Sequence, residues 1–100
     1  MAGNYRLTAP ALRDLEDIAA YLTREASVDI SERIEAKLFD AFADLTEKQV
    51  LGHRRLDVRR KDLLFYVVDP YLIAFRREDH QAVTIIRVLH GKRNVGTILR

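Results

Sequence analysis

The sequence contains no cysteine, so disulfides and thiolate-held metal sites are both excluded, as suits a reducing cytoplasm. No window approaches the roughly 20 apolar residues of a membrane span. The opening stretch, "MAGNYRLTAP", lacks the apolar core of a signal peptide, so a cytoplasmic location with no membrane contact is expected. Repeats, low-complexity tracts and Pro/Gly/Ser-rich linkers are missing as well, so the 100 residues read as one domain over 1–100. His53, His80 and His90 are scattered, without HxxxH or a carboxylate at ligand spacing, which leaves metal without a site. No cofactor is expected. Serine nucleophiles are no better supported, because Ser27 and Ser31 stand at the start of a helix, where capping accounts for them. The acidic group Asp14, Glu16 and Asp17 near a helix start is explained by the positive end of the helix macrodipole. Nothing has the form of a helix-turn-helix, so sequence-specific nucleic-acid binding is not expected.

What is present is an ordinary globular composition, 48% apolar and 32% charged, with a marked asymmetry of charge. Residues 1–50 carry 6 Lys/Arg against 10 Asp/Glu, net −4, while residues 51–100 carry 11 against 5, net +6. A dipolar chain of this kind has an anion-seeking half, and the anion is either nucleic acid or an acidic polypeptide.

The order of elements follows from periodicity. Tyr5–Thr8 is a short strand candidate, and Pro10 stands in a first helical turn, where its missing N–H costs nothing. Leu12, Leu15, Ile18, Ala19 and Leu22 then recur at helical spacing. After "REASVD", Asp29 and Glu32 have the spacing of a capping box, and Ile30, Ile34, Leu38, Ala41, Phe42 and Leu45 form a second apolar stripe. Two such helices joined closely predict an antiparallel hairpin. "DLLFYVV", "YLIAFRR" and "AVTIIRVLH" are strands, separated by a turn at Asp69-Pro70 and another at "EDHQ". The fold class is therefore α+β, β-α-α-β-β-β, an antiparallel sheet with the N-terminal helical hairpin on one face. Phe65, Tyr66, Tyr71 and Phe75 lie inside strands and read as core.

Two stretches concentrate cations. The connection 49–61, "QVLGHRRLDVRRK", is long for a compact domain and holds Arg54, Arg55, Arg59, Arg60 and Lys61. The end of the last strand, "RVLHGKRN", gathers Arg87, His90, Lys92 and Arg93 in seven positions. Strict alternation puts Val83, Ile85, Arg87 and Leu89 on one face and Thr84, Ile86, Val88 and His90 on the other. Arg87 thus interrupts an apolar set, and requires either a structural carboxylate, such as Asp62 or Asp69, or a ligand. His90 before Gly91 is either a ring packed under the turn or a titratable group beside a cationic site.

The stretches "YRLTAPALRDLEDIAAYL", "LGHRRLDVRRKDLLFYVVDPYLIAFR" and above all "VTIIRVLHGKRN" resemble toxins of the RelE/ParE superfamily, in its ParE branch, over nearly the whole chain. The resemblance implies a type II toxin that inhibits DNA gyrase and is neutralised by a ParD-like antitoxin in a hetero-oligomer. The positions of the charges, together with the helical hairpin, then put the expected target contacts at Arg59, Arg60, Lys61, Arg87, His90, Lys92 and Arg93, and the expected antitoxin contacts at Leu15, Ile18, Leu22, Arg54, Arg55 and Arg76. On that reading the toxin does no chemistry of its own. The RelE branch implies the alternative, ribosome-dependent mRNA cleavage, for which Lys61, Arg87, His90 and Lys92 are the candidate groups. The absence of a tyrosine after Tyr71 departs from the pattern of that branch.

Overall fold

A computed structural model describes residues 4–48, 50–79 and 82–100. The first strand, β1 (Asn4–Leu7), ends at Thr8, which converts strand into helix. Thr8 is extended, its Oγ1 accepts the Ala11 N–H at 3.1 Å, and the same hydroxyl donates to the Ile86 carbonyl at 2.8 Å. One side chain thereby caps α1 (Ala9–Glu25) and fixes where that helix leaves the sheet. Pro10 lies in the first turn, as its lack of an N–H favours.

The buried face of α1 is turned one position from the expected stripe. Ala11, Asp14 and Leu15 are buried, while Leu12 is 47% exposed. A small Ala11 permits close approach to the sheet, and the buried Asp14 has a charged partner described below. A second helix, α2 (Val28–Glu47), begins at Ser27 and not at the Asp29/Glu32 capping box. The Ser27 hydroxyl accepts the Ile30 N–H at 3.1 Å, so Asp29 already lies in the first turn, facing the helix dipole. Ser31 does not cap; its Oγ donates across the hairpin to the Ala19 carbonyl at 3.2 Å. Ile30 is 43% exposed and leaves the expected stripe, whereas Leu38, Ala41, Phe42 and Leu45 are buried. The C-terminal end of α2 is capped from the sheet, where the Arg77 guanidinium donates to the Leu45 carbonyl at 3.1 Å and to the Val50 carbonyl.

The remaining strands, β2 (Leu64–Val68), β3 (Tyr71–Arg77) and β4 (Ala82–His90), are antiparallel neighbours, and the full order is β1-β4-β3-β2. The turn between β2 and β3 contains the expected Asp69-Pro70, joined by a cis peptide bond. Of the turn "EDHQ", His80 and Gln81 lie outside the described residues, as does Gln49. The sheet is mixed, because β1 pairs parallel to β4 with Leu7 opposite Ile85. Two hairpins return β4 to the direction of β2, and β1 joins the far edge in that same direction.

Strict alternation in β4 fails at a bulge. Arg87 pairs with Ala74 but Ile85 pairs with Phe75, so Ile86 is the extra residue and the phase shifts after it. Val83, Ile85 and Val88 therefore share the core beneath the helices with Phe42, Ile73 and Phe75, while Leu89 joins a second cluster on the opposite face. That second cluster is closed by elements the hydrophobic pattern did not announce. Val58 and Leu63 from the long connection meet Val95 and Leu99, which flank and begin α3 (Val95–Ile98). The Asn94 side chain caps this short helix by accepting the Thr97 N–H. Phe65 and Phe75 are fully buried, Tyr71 is buried, and Tyr66 is half-buried, in keeping with their core assignment. Each fully buried phenylalanine contributes on the order of 2–3 kcal/mol.

Candidate functional site

Arg87 finds its carboxylate on α1. Its Nε and Nη2 donate to the two Asp14 oxygens at 2.7 and 2.9 Å, and Asp14 Oδ2 also accepts the Val88 N–H at 2.9 Å. The hydrogen bond and charge of Asp14 raise the Arg87 pKa further, against desolvation. The expected partners Asp62 and Asp69 are not used, because α1 packs against β4 and brings Asp14 to Arg87 instead. The macrodipole explanation of Asp14 gives way to this pairing for the same reason.

Beside this pair, α1 and the ends of β3 and β4 enclose a cleft of about 490 Å³. Ile18, Tyr21 and Leu22 form its helical wall, Pro70, Tyr71, Val88 and His90 its sheet wall, and Asp17 and Arg93 lie at its charged rim. The His90 ring stands edge-on to Tyr71 with centroids 5.8 Å apart, and His90 Nδ1 accepts the Lys92 N–H at 3.1 Å. His90 is thus both packed under the turn and turned toward a cleft. Burial pushes the Tyr71 phenol up from its ordinary pKa, and Tyr21 nearby adds to the shift.

The long connection builds a second concavity, of about 650 Å³, lined by Arg54, Arg55, Leu56, Val58, Arg59, Arg60, Lys61 and Leu63. It is an ordered loop. Gly52 holds φ +70°, where a β-carbon would collide with the Phe75 ring and the Phe65 carbonyl, and His53 exchanges backbone hydrogen bonds of 2.8 and 2.7 Å with Phe65. Arg55 forks onto Asp57 at 2.9 and 2.9 Å, and Arg60 onto Asp62 at 3.3 and 3.0 Å. These guanidiniums hold both carboxylates below the ordinary range, Arg55 acting on Asp57 and Arg60 on Asp62. Arg54 donates to the Lys61 carbonyl, closing the loop on itself. Gly96 of α3 lies so close to the Asp57 carbonyl that a β-carbon there would collide with it.

The two concavities regroup the expected contact residues. Ile18 and Leu22, expected to meet an antitoxin, share the cleft with His90 and Arg93, expected to meet a target. Arg54 and Arg55 share the loop cup with Arg59, Arg60 and Lys61. Leu15 is buried in the main core and offers a partner little surface. Arg87 lines neither concavity, and its Nε and Nη2 are occupied by Asp14. Arg76 also lines neither; it pairs with Glu78 at 2.8 Å and Asp62 at 3.8 Å. Lys92 is exposed beside the cleft. The four groups considered for RNA cleavage are divided, with Lys61 in the cup, His90 in the cleft and Arg87 in its ion pair. Sequence reasoning missed Tyr21 and Tyr71 as cleft walls and Leu56 as a cup residue. The Arg-x-Asp spacing of "RLD" and "RKD" was the available signal for the cup. Among the described residues no three His, Cys, Asp or Glu side chains are grouped to hold a metal ion, and no helix is long and apolar enough to cross a membrane.

Two solved structures that resemble this chain are toxin–antitoxin systems. The chromosomal ParDE system from P. aeruginosa matches with TM-score 0.71 and 14% identity, over 89% of this chain and 96% of that one. The RelBE2 toxin–antitoxin complex from Mycobacterium tuberculosis matches with TM-score 0.61 and 26% identity, over 90% and 99%. No curated protein matches the chain. The helical hairpin on a four-stranded sheet is thus the fold these toxin–antitoxin structures share with this chain. The family described as "ParE toxin of type II toxin-antitoxin system, parDE" matches residues 5–95, and this chain belongs to it.

Proposed function

We propose that the protein is a toxin that inhibits DNA gyrase by binding, that a ParD-like antitoxin neutralises it in a hetero-oligomer, and that both act in the cytoplasm. The observation carrying this reading is the composition of the loop cup. Its lining is cations and aliphatic side chains, which attract an anionic surface but include no histidine or carboxylate to move a proton. Arg59 and Lys61 are exposed there. The cup is the surface for the target, and the cleft along α1 is the surface for the antitoxin. Its apolar wall of Ile18, Tyr21 and Leu22 suits an amphipathic segment, and Arg93 suits an acidic one. The two structural relatives, solved as toxin–antitoxin systems, support an antitoxin partner. Charge reversal of Arg59 and Lys61 together, both exposed in the cup, is expected to abolish growth arrest while leaving the circular-dichroism spectrum unchanged. Full toxicity of that variant would refute the assignment.

One observation favours a second reading, RelE-like cleavage of mRNA on the ribosome: the cleft brings Tyr71, His90 and Arg93 together. Attack of a 2′-OH needs a base, an acid and a cation, and these residues are of the required types. The raised pKa makes Tyr71 a weaker acid, which counts against that role. Mapping of mRNA 5′ ends after induction separates the readings, since only cleavage produces new ends within codons.

A further inference from the structure

We propose that Leu56 is the apolar anchor of the target interface, inserting into a recess on an acidic protein surface while the surrounding cations pair with its carboxylates. This deepens the assignment of the loop cup to the target and rests on it. Leu56 is fully exposed, more so than any other large apolar side chain among the described residues. Its exposure is built by the loop around it. Arg55 and Asp57 fork across it, the Val58 N–H donates to the Arg55 carbonyl at 3.3 Å, and Leu56 occupies the corner of the resulting turn. Val58 is buried in the second core cluster on one side of the turn, and the Asp57 carbonyl rests against Gly96. The same device recurs at "RKD", where Arg60 and Asp62 fork across exposed Lys61. The two Arg-x-Asp forks therefore hold out one leucine and one ammonium beside Arg54 and Arg59, on a backbone pinned at both ends.

A preorganised turn loses little conformational freedom on docking, which is where an isolated apolar anchor contributes most. Charge complementarity selects the partner: the ring of cations calls for carboxylates, and the leucine calls for an apolar recess among them. Nucleic acid fits less well. The cup offers no exposed ring for base stacking, since no aromatic side chain lines it and Phe65 is fully buried. The antitoxin is assigned to the cleft, which shares no lining residue with the cup.

The test separates toxicity from neutralisation. Leu56→Glu and the milder Leu56→Ala are compared with the full-length wild type in growth arrest, gyrase supercoiling and antitoxin co-purification, with thermal melting as the control for folding. Because Leu56 touches no core, melting is expected to be unchanged. Leu56→Glu is expected to raise the inhibitory dose by about tenfold or more, Leu56→Ala by less, and antitoxin affinity to stay within about twofold of wild type. Undiminished toxicity of Leu56→Glu overturns the proposal, as does joint loss of toxicity and antitoxin binding, which would make the cup an antitoxin surface. A wild-type dimer broken by Leu56→Glu would assign the cup to a second copy of the chain. Binding of a single-stranded RNA oligonucleotide that Lys61→Glu weakens and Leu56→Glu spares would assign it to nucleic acid. If the wild type arrests growth without inhibiting gyrase, the target assignment fails, and the growth readout still decides the role of Leu56. A wild type that leaves growth unaffected overturns both.

Discussion

Asp14 and Arg87 are 73 positions apart in sequence and form a two-pronged ion pair, at 2.7 and 2.9 Å, with Asp14 also holding the Val88 N–H. The pair ties α1 to β4 at the point where the bulge breaks the strand's alternation, and so fixes one wall of the cleft. Asp14 is buried and the Arg87 side chain is only 24% exposed. Removing one partner would leave the other charge without compensation. Asp14→Ala and Arg87→Met are each expected to destabilise the fold by about 3–5 kcal/mol in urea denaturation. The double variant is expected to recover part of that loss, because no stranded charge remains. Equal and additive losses would show that the two residues do not act as a pair.

The contact between Gly96 and the Asp57 carbonyl ties α3 to the cationic loop. Gly96→Ala is expected to cost on the order of 1–3 kcal/mol through overpacking. It should also speed hydrogen exchange at the Val58 amide, whose bond to the Arg55 carbonyl closes the neighbouring turn. Unchanged exchange there would mean that α3 does not hold the loop.

Acid should loosen the loop before it unfolds the core. Asp57 and Asp62 titrate below their ordinary 3.8 because Arg55 and Arg60 bond to the ionised form, and Glu78 titrates below its ordinary 4.5 because Arg76 does. A carboxylate with a depressed folded pKa stabilises the fold fully above its unfolded value and loses that contribution as pH falls through the folded value. Loop order is therefore expected to be constant down to about pH 4.5 and to decline below about 3.8. These groups are exposed, so the effect on global stability is small and weakens further with salt. The check is amide exchange of residues 53–62 in wild type and in an Asp57→Asn, Asp62→Asn variant, which should lose the pH dependence.

Leu22 lies half-buried on the helical wall of the cleft. Leu22→Glu is expected to weaken antitoxin binding by about tenfold or more, roughly 1.4 kcal/mol, while toxicity persists. Titration calorimetry against the antitoxin measures it. Unaltered affinity would move the antitoxin off this face.

The order of strands and helices was legible because it rests on local periodicity: Leu38, Phe42 and Leu45 repeat as a helix must, and "YLIAFRR" reads as a buried strand. Long-range pairing was not. The parallel approach of β1 to β4 and the bulge at Ile86 depend on which elements meet, and no local spacing marks either. Arg87 was legible as a charge requiring a partner, but which carboxylate answered it depended on the packing of α1. Asn94 with Val95, Ile98 and Leu99 did carry the signature of a short capped helix, and its brevity concealed it. The cations of both segments were evident in the sequence. Their division between a cleft and a cup was not, since the second core cluster that holds the cup together joins residues from three distant stretches.

On the proposed function, this toxin acts by gripping a protein through its cationic loop. The most direct measurement adds the purified chain, free of antitoxin, to DNA gyrase supercoiling relaxed plasmid and, in parallel, to ribosomes translating a defined mRNA. Dose-dependent loss of supercoiling with intact mRNA is the predicted result. Cleaved mRNA alongside undiminished supercoiling would contradict it.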